Sequence, residues 1–429
     1  MRICVFEDAG VANLQPLTWN RPVFDLRCGA SSLLQRHLCL FPAADEYGVW
    51  VRPELAALCR LAHPHLAVNE PAGLPARPPV AVVLVNGRWL PPESLPGALQ
   101  VPAVGHVGGQ VAYVALPADA AGAVCPQDLG RSLARCQQTL PRLSAGGFMI
   151  DYPWDLVERN AAALEQDYRT WCLEGDCVPG ADGRAIIGPP ERCLAAATAR
   201  VEPMVLIDTT KGPVLIDDGA QVQAFSRLEG PCHVGAGTHV LAARVRGSSL
   251  GPHCRVGGEV EASIIHGYSN KAHDGFLGHS YVGEWVNIGA GTQSSDLRND
   301  YSEVSVVLRG VKVNTGLRKV GCFVGDHTKT SINAALNTGT VVGPFGQLLT
   351  SGSLPPRALP PFCQFGNGQV QERTDLRQLF ATAATVMDRR GRRWTEIDAD
   401  LYFWLYEQTA EQRRQVMRES EQRRLRRAM

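Results

Sequence analysis

The sequence predicts three parts: an α/β domain over residues 1–175, a left-handed parallel β-helix over 176–370 and a helical tail over 371–429. The β-helix rests on apolar residues that recur every six positions. Ile216, Val222, Leu228, Val234 and Val240 set the step, Leu250 and Val256 take it up again, Val282 and Ile288 keep it, and Val324, Leu336, Val342 and Leu348 fall on multiples of six. An α-helix needs apolar residues every three or four positions and a half-buried strand every two, so a period of six belongs to neither. A hexapeptide coil satisfies it: each hexad makes one short strand and one turn, three hexads close a triangle, and the periodic residue points inward. Gly235, Gly251, Gly257, Gly283, Gly289, Gly325 and Gly343 follow periodic residues, which points to turns at positive φ. A β-sandwich with coincidental glycines is the competing reading, and chance spacing rarely holds from 216 to 348.

The N-terminal domain is read from apolar strand-like runs at Ile3–Phe6, Gly48–Val51, Val80–Asn86 and Val111–Leu116, separated by loops and helical segments. An amphipathic helix closes it, capped by Asp151 with Pro153 in the first turn. Trp154, Val157, Ala161, Leu164, Tyr168 and Trp171 form its apolar stripe, read as a strut between domains. After Pro360-Pro361, Leu376–Met387 and Ala399–Met417 read as helices. The final Arg-rich, Glu-interspersed stretch reads as a solvated helix face, since no aromatic residue interleaves its arginines as RNA binding would want.

Composition bounds the function. A chain of 429 residues carries two or three domains, and a 45% hydrophobic content supplies their cores. Lys+Arg and Asp+Glu balance at 42 each, so no global field favours nucleic acid. The 13 cysteines, an odd number with no C-x-x-C pair, fit a reducing compartment. No secretory leader and no long apolar run is evident, so a cytoplasmic protein that does not enter the membrane is expected.

The run from Asn270 to Gly278, NKAHDGFLG, breaks the hexads with charged and aromatic residues and is followed by Val286-Asn287-Ile288-Gly289-Ala290-Gly291-Thr292. Here the chain resembles the acetyltransferase half of the bifunctional N-acetylglucosamine-1-phosphate uridylyltransferase/glucosamine-1-phosphate N-acetyltransferase family. That family carries Ser-Lys-Ala-Gly-His and then Asn-Ile-Gly-Ala-Gly-Thr, with the same spacing as from 273 to 287. The chain is closer still to a variant bacterial branch with GYSNK, HDGFLGHSY and GDHTK-type runs. The resemblance implies that a coenzyme A thioester, acetyl-CoA, donates an acyl group to an amino sugar in trimers whose active sites lie between chains.

Amide formation from a thioester needs a base for the attacking amine, and a neutral imidazole suits that work. The resemblance gives this role to His273, against the ordinary reading of a turn histidine. Glu261, after Val260, resembles the Val-Glu of the family and would orient His273 or bind the amine, although it lies two residues nearer the histidine than in the family. Asn287 matches the substrate-binding asparagine, its alternative being a ladder residue inside the coil. Phe276 belongs to the same substrate-binding run. The family's consecutive lysines near the sugar phosphate are Ala262-Ser263 here, which puts that phosphate in question. Arg244, Arg246, Arg255 and Lys271 are the candidates to replace them, because guanidinium and ammonium groups hold phosphates. The long break between Thr292 and Val324 carries Arg298, Asn299 and Tyr301, read either as substrate contacts reaching a neighbouring subunit or as loop pins. Asp326 and Lys329, in the GDHTK run, lie where the resemblance places the coenzyme.

Asn13-Leu14-Gln15-Pro16-Leu17-Thr18 and the stretch from Arg21 to Gly29 resemble the P-L-T…R-P…G segment of sugar-1-phosphate nucleotidyltransferases. Such domains hold a nucleoside triphosphate on a glycine-rich loop and Mg2+ on an aspartate. This chain departs from both features. Glu7-Asp8-Ala9-Gly10 follows the first strand, and Asn86-Gly87-Arg88 replaces the metal-binding aspartate. Arg21, Asp25, Arg27 and Arg88 are the expected nucleotide-binding residues of a rearranged site, and a degenerate domain is the equal alternative.

The sequence reading is therefore a sugar-nucleotide pathway transferase. It moves an acyl group from acyl-CoA to an amino-sugar phosphate or nucleotide amino sugar, as a homotrimer, with nucleotidyl transfer open for the N-terminal domain. Two rivals remain: an inactive sugar-nucleotide-binding trimer, and a zinc-dependent hydratase of the carbonic-anhydrase kind. His233, His239, His266, His273 and His279 invite the second, but the step of six from 233 to 239 and those of seven and six from 266 through 273 to 279 set rings on different faces of a triangular coil.

Overall fold

The computed structural model describes residues 1–70, 81–120, 124, 126–174, 177–179, 185–350 and 353–428. The expected domain boundary at 175/176 and Val80 lie outside them. Two compact units emerge, one of Met1–Leu14, Asn20–Leu26 and Ser31–Tyr152, the other of Gln15–Trp19, Arg27–Ala30 and Pro153–Met429.

In the first unit a seven-stranded mixed sheet runs in the order Arg142–Ser144, Ala103–Val107, Gln110–Leu116, Val82–Asn86, Arg2–Phe6, Glu46–Trp50 and Ala67–Val68. Arg2–Phe6 is parallel to both neighbours, with Phe6 level with Trp50 and with Asn86. All five residues of Val82–Asn86 are buried, as expected of a strand covered on both faces. The register sets Glu7-Asp8, Arg52 and Gly87-Arg88 side by side just past the carboxyl ends of three parallel strands. Open α/β sheets place their ligands at that edge.

The second unit is the β-helix. Ile216 pairs with Val234, Val234 with Leu250, Leu250 with Ile265, Ile265 with Val282, Val282 with Val324, Val324 with Val342 and Val342 with Leu359, all in parallel. These inward residues form one continuous core with Leu228, Val245, Val260 and Leu277. The break after Thr292 contains an antiparallel hairpin, Ser305–Leu308 with Val311–Asn314, closed at its base by a bridge between Leu297 and Lys319.

The glycines have a different reason from the one expected. None of Gly235, Gly251, Gly257, Gly283, Gly289, Gly325 and Gly343 has positive φ. A Cβ on Gly251 would lie 1.9 Å from the carbonyl oxygen of His266, and one on Gly257 2.3 Å from that of Ala272. The next rung therefore passes too close for a side chain. Positive φ usually comes two residues later, and one corner fills it with large side chains: His253, Tyr268, Trp285, His327, Phe345 and Phe362, at φ between 53° and 59°. Their rings stack in sequence, with centroid separations of 5.1, 4.4, 6.4, 4.7 and 5.3 Å. Left-handed backbone costs a non-glycine residue about 1–2 kcal/mol, and burial and stacking of the rings offset it.

Helix Pro153–Glu174 groups with the coil, where the sequence placed it at the end of the N-terminal domain. The reason is an outward apolar row that needs cover: Leu164 packs on Leu194 and Leu215, and the Trp154 ring lies 6.1 Å from that of Phe323. Asn160 adds polar anchoring, accepting from Ser249 Oγ and from the amide of Gly29, each at 2.8 Å. At the C-terminus, Leu376–Asp388 forms as expected, but the expected Ala399–Met417 helix is two, Glu396–Gln408 and Ala410–Ala428. Buried Thr409 breaks it: its hydroxyl bonds the carbonyl of Leu405 and receives Arg413 Nη1, both at 2.7 Å.

Candidate functional site

Lys271 occupies an inward position on the coil, paired with Val256, and is buried to 2% exposure. Its ammonium donates to the carbonyls of Gly257 and His273, each at 2.8 Å. This corrects its expected role: an inward ammonium bonded to backbone cannot also meet an anion outside. The signal was in the sequence, since 271 is six residues after Ile265 and six before Leu277. Burial lowers its pKa to about 8. A lysine depressed on folding makes the unfolded chain bind more protons between that pKa and the ordinary value near 10.4, so stability rises with pH across this window. Melting temperature is expected to rise from pH 8 towards 10 for reasons that Lys271→Met removes; identical pH profiles for the two proteins would show that the ammonium is not held as described.

The two carbonyl bonds fix the corner that presents His273. That imidazole is exposed and, among the described residues, has no side-chain partner. Beside it Asp274, Gly275 and Phe276 line an open groove of about 420 Å³, with Phe225, Arg244 and Gln293 on its other walls. Asn287 is exposed and stands in an outward row, bridged to Asn270 on one side and Lys329 on the other. It is a ladder residue, but on the outside of the coil.

Glu261 is not brought to His273. It pairs with Arg246 and, at 3.5 Å, with Lys319. Lys319 also lowers the Asp296 carboxyl: burial would raise it, and the hydrogen bond and charge of His279, then Lys319, more than reverse that. His279 Nδ1 lies 2.8 Å from Asp296 Oδ2, and its amide donates to the Glu261 carbonyl at 3.0 Å. The histidine near Glu261 is therefore His279, a carboxylate-oriented imidazole inside the HDGFLGHSY run.

The other expected contacts divide by their partners. Arg244 bonds Glu229 at 3.2 Å and lies 3.7 Å from Glu259, and Arg298 bonds Asp300 and Ser302 within its own loop. Asn299 and Tyr301 are exposed. Asp326 is buried, and its carboxylate accepts the Glu284 amide at 2.9 Å, which fastens one rung to the next. Lys329 is partly buried, its pKa lowered by that burial and by Arg373. Arg255, by contrast, donates among the described residues only to backbone carbonyls.

In the first unit the strand-end groups satisfy one another. Arg88, 3% exposed, donates to both oxygens of Asp8 at 2.7 Å, to Asp151 Oδ1 at 2.6 Å and to Gln110 Oε1 at 2.8 Å. Asn86 donates to Asp8 at 2.8 Å. A Cβ on Gly10 would lie 2.4 Å from Arg88 Cζ, so that glycine makes room for the guanidinium. Glu7 takes the amides of Val23 and Arg52, at 2.9 and 3.1 Å, and the Arg52 guanidinium at 3.1 Å. Backbone amides and arginines that could hold phosphate thus hold carboxylates. Mg2+ does not fit here, because a permanent cation already lies between Asp8 and Asp151. Among the described residues no group of three or more His, Cys, Asp or Glu is placed to hold a metal.

The expected nucleotide-binding set is not assembled. Arg21 is buried, Asp25 binds His63 Nε2 at 2.9 Å, and Arg27 belongs to the other unit, its amide on the Tyr281 hydroxyl at 2.9 Å.

Residues 3–173 match the family model described as sugar nucleotidyl transferase. A bifunctional sugar-1-phosphate nucleotidylyltransferase/acetyltransferase from Sulfurisphaera tokodaii is 38% identical over 90 residues, 21% of this chain and 22% of that protein. The bifunctional protein GlmU of Stenotrophomonas maltophilia is 28% identical over 232 residues, 48% of this chain and 45% of its own. The chain is thus similar to these bifunctional proteins over part of its length. The match spans 22% of the length of the Sulfurisphaera relative and 21% of that of the Jannaschia GlmU, which is 42% identical over 98 residues. Among solved structures, the polysialic acid-specific acetyltransferase NeuO overlays at a TM-score of 0.25 with 10% identity, covering 49% of this chain and 94% of that one. No helix among the described residues is long and apolar enough to cross a membrane.

Proposed function

We propose that the β-helix transfers an acyl group, acetyl in the simplest case, from acyl-coenzyme A to the amine of an amino-sugar phosphate or nucleotide amino sugar, with His273 as the base. The observation that carries this reading is the unpartnered imidazole on a corner held by Lys271, beside the Phe276 groove. An acetyl group and a sugar phosphate agree with what one relative's name says of that protein, a bifunctional sugar-1-phosphate nucleotidylyltransferase/acetyltransferase, while the coenzyme donor and the amine acceptor rest on the motif resemblance. Free thiol released from acetyl-coenzyme A, over a panel of amino-sugar phosphates and UDP-amino sugars, tests it; no release with any acceptor would end the reading.

A second reading is favoured by the His279–Asp296 pair, whose geometry is that of an oriented general base. Glu261 would then act beside His279. Loss of activity in His279→Ala with His273→Ala unaffected would select it.

The functional unit is proposed to be a homotrimer, because a closed threefold ring lets neighbours cover one another's coil faces. Phe225 and Met204 are 76% and 73% exposed on the coil, apolar surface that a neighbour would cover. Light scattering at micromolar concentration is expected to give three times the 46.4 kDa chain mass; a monomer would remove the shared active site. For the N-terminal unit the self-satisfied carboxylates favour the degenerate alternative, with no magnesium-dependent pyrophosphate release expected from any common nucleoside triphosphate plus sugar-1-phosphate.

A further inference from the structure

The turn after helix Leu376–Asp388 reads Arg389-Arg390-Gly391-Arg392-Arg393, with Gly391 reversing the chain at φ 66°. Arg390 reaches the outward row of the coil, where its Nη2 donates to Asn270 Oδ1 at 3.0 Å. Arg255 is the ladder neighbour of Asn270. Arg392 lies over the Tyr268 ring at 5.8 Å, and Tyr268 stacks on His253 at 5.1 Å.

What distinguishes this cluster is the lack of counter-charge. Every other coil arginine named above as a phosphate contact has a carboxylate partner. Arg255, Arg389, Arg390, Arg392 and Arg393 form no ion pair among the described residues, and the buried Nε of Arg390 has no acceptor. Burial first, and then the charges of Arg255 and Arg390, hold the His239 and His253 imidazoles below their ordinary range. A helix C-terminus attracts cations within its own last turn, which accounts for one or two arginines there and not for Arg255 on the coil. Leaving a buried N–H without an acceptor is unfavourable, and like charges gathered without compensation repel. An anion supplying several oxygens relieves both.

We propose that Arg255, Arg390 and Arg392 form a binding site for the diphosphate or 3′-phosphate of a small nucleotide ligand. Guanidinium forks match phosphate oxygens in pairs. The site lies on the same coil turn as His273: Asn270 and His273 are three residues apart, at most about 10 Å along the chain. The inference deepens the acyl-transfer reading and rests on it only for what happens at the ligand's other end. Two sources share the chemistry, the coenzyme of the acyl donor and the diphosphate of a nucleotide sugar.

The test is direct binding, by calorimetry on the full chain at low salt, of inorganic pyrophosphate, adenosine 3′,5′-bisphosphate and UDP, without any turnover. Pyrophosphate and one of the two nucleotides are expected to bind, adenosine bisphosphate if the source is the coenzyme and UDP if it is the nucleotide sugar. The Kd is expected to rise at least tenfold in Arg255→Gln/Arg392→Gln, a variant that spares the Arg390–Asn270 anchor. Arg423→Gln/Arg424→Gln, on the exposed tail, should leave it unchanged. No binding of any probe at millimolar concentration, an equal loss in the tail variant, or tighter binding of a ten-nucleotide single-stranded RNA than of all three probes would each overturn the proposal. Phosphate binding without acyl transfer would retire the acyltransferase reading and leave this site standing. Acyl transfer undiminished in the double variant, with no phosphate binding, would do the reverse.

Discussion

Replacing His273 with Ala is expected to lower thiol release from acetyl-coenzyme A by two orders of magnitude or more, the usual scale for losing a general base, while the melting temperature stays within about 1 °C. The stability half of this expectation follows from exposure: surface positions outside caps, cores and networks rarely shift stability by more than about 0.5 kcal/mol. Nothing in the fold leans on this side chain, since the corner is held by Lys271 through the carbonyl of His273, which Ala retains. His279→Ala should behave in the opposite way, losing stability because Asp296 is left partly buried without its partner. A fall in kcat with KM and the melting temperature unchanged in His273→Ala assigns the proton transfer to His273. Turnover above about half of wild type would move the base to His279, with Glu261 and Lys319 as its surroundings.

The coil was legible because its core is one-dimensional: each inward residue meets the same position one rung away, so a single period read along the chain encodes the packing. Lys271 falls in that period and is inward although a lysine is ordinarily outside; the phase outweighs the residue type. The glycines were located correctly, but their cause was hidden, because the approach of Ala272 to Gly257 is a contact between rungs. Partners set by such cross-rung or cross-sheet geometry were also beyond reach. Glu261 meets Arg246 and Lys319 at sequence separations of 15 and 58, and Asp8 meets Arg88 at 80. The break at Thr409 needed the side chain of Arg413, which no helical periodicity reports.

Arg88→Ala is expected to destabilise the N-terminal unit by up to about 3 kcal/mol, the low end of the cost of breaking a buried charge set, because Asp8 and Asp151 are 23% and 40% exposed and solvent screens part of it. It would take the guanidinium away from Asp8 and Asp151, and its donors from Gln110 and the Ile150 carbonyl. Arg88→Ala combined with Asp8→Asn should recover part of the loss, since the excess negative charge goes with it. The pH dependence has a definite sign. Burial would raise the Asp8 carboxyl, but the hydrogen bonds and charge of Arg88 outweigh it and hold the pKa below the ordinary value. A depressed carboxylate contributes stability that is fully present above its unfolded pKa, near 4, and lost as pH falls through the folded one. The gap between wild type and Arg88→Ala should therefore be constant at neutral pH and close only in acid, as measured by the thermal unfolding transition that Arg88→Ala shifts, followed from pH 7 to 3. Magnesium and EDTA should both leave that transition where it is, because the position between the two aspartates is filled by a group of the chain itself. A magnesium-dependent rise in melting temperature in the wild-type protein would mean that Arg88 yields its place to the metal, and the N-terminal unit would again be read as a nucleotidyltransferase.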